Sequence, residues 1–103
     1  MTGRILIRAA SRDGVTEVRA LMSHPMETGQ RRDSAGNLIP GHYITELTAR
    51  HNDRVVLSVQ MSGAVSTDPY FAFKFKGGEK GDRVTLSWVD NLGESQSEEA
   101  LVT

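Results

Sequence analysis

Three phenylalanines occupy alternating positions, 71, 73 and 75, within one short stretch of the chain at residues 68–76. Successive side chains of an extended strand point to opposite faces, so this spacing predicts a strand with one aromatic face. Each phenylalanine can bury about 150–250 Å² of surface, and a second layer of strands must therefore cover this face. The opposite face would carry Tyr70, Ala72, Lys74 and Lys76.

Six further segments have the alternation or the branched residues of short strands: residues 5–9, 15–22, 42–52, 54–62, 83–90 and 97–102. No segment repeats apolar residues with the spacing of a helix. The pattern predicts a single domain over residues 1–103, an antiparallel β-sandwich of immunoglobulin-like type with about seven strands. A small β-barrel is the alternative.

Alternation also predicts which side chains share a face. We expect Trp88 to pack from its strand onto the phenylalanine face. The sets predicted to share one face are Thr16, Val18, Ala20 and Met22 in the second strand, Tyr43, Thr45, Leu47 and Ala49 in the third, the apolar set Val55, Leu57, Val59 and Met61 in the fourth, and Val84, Leu86 and Trp88 in the sixth.

The composition excludes several classes of function. The net charge is −1, from 12 basic and 13 acidic residues, so no field of one sign favours binding to nucleic acid or to an anionic membrane. The absence of cysteine excludes disulfides, thiolate metal sites and thiol catalysis. The apolar run near the N-terminus is shorter than a secretory signal requires, which taken alone predicts the cytoplasm.

No catalytic or metal-binding constellation stands out in the sequence. There is no Gly-x-Ser-x-Gly elbow, and His24, His42 and His51 are scattered. His24 and Met26 could offer nitrogen and sulfur to copper, but Pro25 restricts the backbone between them and no third ligand is evident. The histidines are therefore expected to be structural or interfacial, with no catalytic residue, no cofactor and no metal.

The segment at residues 23–40 is a long connection without sustained periodicity, and long ordered loops are often functional. The segment 34–37 is a turn signal that could form a small hairpin tip. Arg31 and Arg32 could meet an anion or an acidic partner, although solvated loop charges are the plainer interpretation. The Tyr70 face could likewise be solvated or form one side of a protein interface.

These segments resemble the SoxZ family of the bacterial sulfur-oxidation (Sox) system over essentially the whole chain. The most specific match is the loop His-Pro-Met-Glu-Thr-Gly at 24–29, followed by Arg-Arg-Asp-Ser at 31–34. Further matches are Arg-Ile-Leu-Ile at 4–7, Ile-Pro at 39–40, Asp-Pro-Tyr-Phe-Ala-Phe at 68–73 and Trp-Val-Asp-Asn-Leu-Gly at 88–93. The family frequently has Asn at the position of Asp68, a minor departure.

The resemblance implies an immunoglobulin-like sandwich that forms a heterodimer with SoxY, a subunit whose C-terminal arm carries a cysteine. Sulfur intermediates of thiosulfate oxidation are bound covalently to that cysteine, and other Sox enzymes dock transiently on the pair. The resemblance also implies export to the periplasm together with SoxY, whose twin-arginine signal serves both chains. It therefore replaces the cytoplasmic expectation.

We thus expect a non-catalytic subunit of the SoxYZ carrier, with a stand-alone immunoglobulin-like binding module as the alternative. An enzyme finds no supporting residues. Residues 24–29 could contact a partner, or Pro25 and Gly29 could simply shape the crossover while Met26 fills the end of the core. The predicted partner-binding residues are His24, Pro25, Met26, Glu27, Thr28, Gly29, Arg31, Arg32 and Tyr70.

Overall fold

The computed structural model describes residues 4–103 and has seven strands, all paired antiparallel. Within these residues no helix is long and apolar enough to cross a membrane. The strands are β1 (Ile5–Arg12), β2 (Val15–Met22), β3 (Ile44–His51), β4 (Arg54–Gln60), β5 (Tyr70–Lys76), β6 (Arg83–Asp90) and β7 (Ser95–Leu101).

The strands form two sheets, one of three strands in the order β1-β2-β5 and one of four in the order β4-β3-β6-β7. A common core of side chains from both sheets lies between them, as in an immunoglobulin-like sandwich. The predicted fold class is thereby confirmed. One side of the sandwich is closed by the C-terminus, because Thr103 donates a backbone hydrogen bond to Ala9 (3.0 Å) and accepts one from Ser11 (3.1 Å).

The aromatic strand has the predicted two faces. Phe71, Phe73 and Phe75 are half-buried and pack against the core, and the residues between them are exposed. Trp88 is fully buried in the cluster against which Phe71 and Phe73 pack. The residues predicted to share one face in β2 and in β6 are all buried, since both strands keep an uninterrupted alternation.

The residues predicted to share one face in β3 and in β4 are wrong in part, because each strand contains an irregularity in its pairing. The register of β3 against β6 shifts between Ile44 and Glu46, so Ile44 is buried where Thr45 was expected. The register of β3 against β4 shifts at Ala49 and Arg50. In β4 this shift leaves Val55 exposed and turns Val56 toward the core.

Strand ends also differ from the predicted ones. β1 continues to Arg12, because Asp13 and Gly14 both adopt positive φ (53° and 78°) and make a two-residue hairpin turn. β3 begins at Ile44 rather than at residue 42, and β7 begins at Ser95 rather than at residue 97.

Candidate functional site

The connection between β2 and β3 folds back on itself as an irregular two-stranded arm. Glu27 and His42 exchange backbone hydrogen bonds of 2.6 and 2.9 Å, and Arg32 forms a second bridge with Leu38. The turn lies at Asp33–Asn37, where Asp33 accepts bonds from two backbone amides of the turn. The predicted hairpin tip is therefore present, one residue longer than expected, and the arm is ordered by its own hydrogen bonds.

Two of the three histidines, far apart in the sequence, meet at one carboxylate. The Nε2 atoms of His24 and His42 lie 3.0 and 2.8 Å from Asp90 Oδ2. His24 and Asp90 are buried, and the two imidazole rings stand edge to face at 4.6 Å. This His24–His42–Asp90 cluster fastens both ends of the arm to the end of β6.

The hydrogen bonds of His24 define its tautomer. Its Nδ1 accepts the Met26 backbone N–H at 3.2 Å, so Nε2 carries the proton that is donated to Asp90. Burial alone would raise the pKa of Asp90. The hydrogen bonds from His24 and His42, with those from the amides of Glu94 and Leu92, outweigh this effect and lower the pKa below its usual range.

The other residues of the 24–29 loop also have partners within the chain. Met26 is buried at a positive φ of 49°, and its sulfur accepts the Ile44 backbone N–H at 3.4 Å. The Glu27 carboxylate binds the Arg31 guanidinium through two bonds of 2.8 and 3.0 Å, which lower the pKa of Glu27. Gly29 packs on the backbone of Gly41 and has a φ of 86°, a conformation that favours glycine.

Asp68 holds this loop from the opposite side. Its side-chain Oδ1 accepts the His24 backbone N–H at 3.0 Å, and its own N–H donates to the His24 carbonyl at 3.0 Å. The φ of Asp68 is 50°, in the left-handed region that Asp and Asn both tolerate. An Asn at this position would keep the same acceptor and the same conformation, so the departure from the family pattern is structurally neutral.

The predicted partner-binding residues of the loop therefore divide by accessibility. The side chains of His24 and Met26 are buried within the chain itself, which fits the interpretation that Met26 fills the end of the core. Glu27 and Gly29 are half-buried. Of the predicted residues in this loop and arm, four are exposed: Pro25, Thr28, Arg31 and Arg32.

Tyr70, the remaining predicted residue, belongs to an apolar row that crosses the outer face of the three-stranded sheet. The strand register aligns Leu6 of β1 with Leu21 of β2, and Leu21 with Tyr70 of β5. All three point to solvent, with exposed fractions of 56%, 42% and 60%. We refer to Leu6, Leu21 and Tyr70 as the apolar row.

A second row lies beside the first and is basic. Arg8, Arg19 and Ala72 are aligned across the same three strands, and Arg19 Nε donates to Glu17 Oε1 at 3.0 Å. A groove of about 730 Å³ runs over both rows toward Gln96 and Glu98 of β7. An aromatic and aliphatic centre rimmed by arginine is typical of protein interfaces.

The sequence did not identify Leu6 and Leu21 as candidates, although alternation placed Leu21 on the same strand face as Glu17 and Arg19. It also missed that His42 and Asp90 join His24. The signal that could have found the row is the register of three strands, which a single sequence does not contain. His51, the third histidine, stands apart and bonds Asp82 Oδ2 at 2.7 Å.

Comparison with known proteins places the chain in a structural class and then in a family. The chain is an immunoglobulin-like β-sandwich, and its fold is similar to the crystal structure of hypothetical protein PH1083 from Pyrococcus horikoshii OT3. That similarity has a TM-score of 0.70 at 15% sequence identity and covers 98% of this chain and 89% of the other. At this identity it supports the fold alone.

The family model described as sulphur oxidation protein SoxZ matches residues 5–101. The chain therefore belongs to the SoxZ family, and it is a subunit of the Sox sulfur-oxidation system. The resemblance noted in the sequence is confirmed. No curated protein sequence matches the chain.

Proposed function

We propose that this chain is the non-catalytic partner of SoxY in a SoxYZ sulfur carrier of the periplasm. In this proposal, SoxY holds the sulfur intermediates of thiosulfate oxidation on its arm cysteine, and other Sox enzymes dock transiently. Family membership supports the assignment. The composition supports it as well, since a chain without cysteine cannot hold sulfur through a thiol of its own.

The observation that carries the proposal is the apolar row. Leu6, Leu21 and Tyr70 are contiguous across three strands, and exposed apolar surface of this kind is characteristic of interaction sites. Arg8 and Arg19 lie next to the row and can bind carboxylates through two hydrogen bonds. We therefore assign this face to SoxY, and expect SoxY to offer an apolar surface with acidic residues at its margin.

The exposed part of the arm is assigned a different role. Pro25, Thr28, Arg31 and Arg32 are held by the ordered arm at the end of the sandwich that carries Asp90. Arg31 is already paired with Glu27, whereas Arg32 Nη1 donates to the Gly36 carbonyl at 2.8 Å. We propose that these residues meet the Sox enzymes that dock transiently, since exposed loops positioned by a rigid sheet commonly carry recognition.

Native mass spectrometry of the chain, alone and after co-expression with SoxY, tests the proposal. The expected result is a stable one-to-one complex that survives purification and is co-exported to the periplasm when SoxY carries its signal. A chain that remains monomeric beside SoxY would contradict the carrier assignment and favour the stand-alone binding module. Turnover of thiosulfate by the isolated chain would contradict the non-catalytic assignment.

A further inference from the structure

We infer that His24, His42, Asp90 and Glu94 form a binding site for a divalent transition-metal cation of the zinc class. Within residues 4–103, His24, His42 and Asp90 bring together imidazole nitrogens and a carboxylate oxygen, the ligand atoms that such ions prefer. The site lies between the arm and the turn that joins β6 to β7. It shares no residue with the apolar row.

The spacing of the ligand atoms fits tetrahedral coordination. One ligand atom each from His24, His42 and Asp90 lies within 4.8 Å of the other two, and both imidazole nitrogens are 2.8–3.0 Å from the carboxylate. Ligand atoms bound to zinc at about 2.0–2.2 Å stand about 3.4 Å apart in a tetrahedron. Sub-ångström movements of the imidazoles away from the carboxylate would therefore open the site.

Glu94 supplies a fourth ligand and an independent reason for the inference. Its Oε2 is buried, has no hydrogen-bond partner among the described residues, and lies 3.9 Å from His42 Nε2. Buried carboxylate oxygens without a partner are rare and call for an explanation such as a bound ion. A pocket of about 240 Å³ lined by His24, His42, Trp88 and Glu94 gives the cation access.

The charges also balance. Two neutral imidazoles and two carboxylates would carry a total charge of −2, which a divalent cation neutralises. The donor set of nitrogen and oxygen without thiolate fits zinc, cobalt and nickel better than it fits the softer cuprous ion. The combination of imidazole and carboxylate also separates this site from calcium and magnesium sites, which use oxygen ligands.

The hydrogen bonds that His24 makes lower the affinity of the site for the cation. Both imidazoles donate to Asp90 through Nε2, so each Nε2 can bind the cation only after its proton has moved, through solvent, to Nδ1, which keeps the imidazole neutral. The Nδ1 of His24 then no longer accepts the hydrogen bond from the Met26 N–H. In His24 this change leaves two buried N–H donors facing each other, which costs about 1–3 kcal/mol and weakens affinity about 5- to 150-fold. Metal binding is thereby coupled to the conformation at Met26.

Isothermal titration of the tag-free chain of 103 residues with ZnCl₂ is the first test, and a Co²⁺ titration followed by visible absorption is the second. The isolated chain suits both experiments because it has no cysteine and three histidines. We expect one equivalent to bind, with the intense visible bands of tetrahedral cobalt, and the melting temperature to rise with metal concentration.

His42→Gln and Glu94→Gln test the ligand assignment, because both side chains are partly exposed and their replacement leaves the core intact. We expect His42→Gln to weaken affinity about 100-fold and Glu94→Gln about tenfold. His51→Gln is the matched control, since His51 has similar burial and a similar carboxylate partner. The inference is overturned if the wild type binds no zinc, or if His51→Gln reduces binding as much as His42→Gln.

Discussion

The two sheets of the sandwich bury their inner faces in the same core but present opposite chemistry to solvent. On the three-stranded sheet, the aligned residues Leu6, Leu21 and Tyr70 form the apolar row. On the four-stranded sheet, the corresponding alignment is a row of hydroxyls that runs Ser58, Thr48, Ser87 and Ser97. Both are outer faces of antiparallel sheets, and a solvated outer face is the ordinary condition of such a sheet.

The contrast shows that an exposed apolar residue matters when its cross-strand neighbours are apolar too. Val89, on the four-stranded sheet, is 45% exposed, about as much as Leu21 at 42%. Its neighbours across the strands are Glu46 and Ser95, so Val89 stands alone. Scattered apolar residues need no explanation, whereas a contiguous row indicates a partner.

The largest effect is expected from Leu21→Glu, which puts a charge at the centre of the apolar row. An unpaired carboxylate in a desolvated interface should lower SoxY affinity at least about 100-fold. Val89→Glu is the matched variant on the other face and should change affinity by less than about threefold. Biolayer interferometry gives both affinities, and circular dichroism checks that both variants fold. Loss of binding by Val89→Glu alone would reverse the assignment of the faces.

Tyr70→Ala should have the next largest effect. Truncation of an interface anchor typically costs about 2 kcal/mol or more, which corresponds to a loss of about 30-fold in affinity. Val55→Ala on β4, where the residue is 49% exposed, should leave affinity unchanged. Tyr70→Phe separates the contribution of the ring from that of the hydroxyl. Equal affinities for Tyr70→Ala and the wild type would show that the row is not the SoxY site.

A smaller, kinetic effect is expected from Arg8→Ala at the basic margin. Charges at the rim of an interface act mainly on the association rate and on its dependence on salt. We expect association with SoxY to slow by about two- to fivefold at low ionic strength, and the difference to vanish in high salt. Arg50→Ala, an exposed arginine of β3, is the control. Stopped-flow association rates at two salt concentrations would refute the prediction if both arginines behaved alike.

The smallest effect is expected from Asp82→Asn, which should change the stability of the fold and leave SoxY binding unchanged. Hydrogen bonds from His51 and from the Glu79 amide lower the pKa of Asp82 below its usual value of 3.8. A lowered carboxyl pKa stabilises the folded chain above the ordinary value, and this stability is lost as the pH falls through the lowered one. Asp82→Asn should therefore reduce the melting temperature at pH 7 by a few degrees and flatten its decline below about pH 4.

SoxY affinity at pH 7 should be unchanged in Asp82→Asn, because Asp82 lies outside both rows. A melting temperature that declines in acid as steeply as that of the wild type would contradict the role given to Asp82. A large loss of affinity without any change in stability would place the interface near His51 instead.

The sequence predicts the elements whose side chains alternate without interruption. The strands β2, β5 and β6 could be assigned to faces residue by residue, because the period of a strand and the size of its aromatic residues leave one orientation. The strands β3 and β4 could be assigned only in part, since an irregularity in pairing moves the side chains on one side of it to the other face. The prediction fails at Thr45 and Val55, whereas Leu47, Ala49, Leu57 and Val59 face the core. No residue near Ala49 in the sequence indicates the shift in register between β3 and β4.

The candidate sites depend on contacts between residues distant in the sequence. The 24–29 loop was found from its composition, but its attachment to Asp90 spans 66 residues and follows from the fold alone. The apolar row likewise requires the registers of β1 with β2 and of β2 with β5. Tyr70 was recognised because it lies in the conspicuous aromatic strand, whereas Leu6 and Leu21 became visible once the strands were aligned.

Hydroxyl-radical footprinting of the free chain and of the SoxYZ complex is the sharpest test of the assignment of the apolar row to SoxY, because it reports the solvent accessibility of individual side chains. Oxidation of Leu6, Leu21 and Tyr70 should fall several-fold when SoxY is bound, while Val89 and Val55 should react as they do in the free chain. Protection of Val89 and Val55, with the apolar row still reactive, would place SoxY on the four-stranded sheet and contradict the assignment of the apolar row.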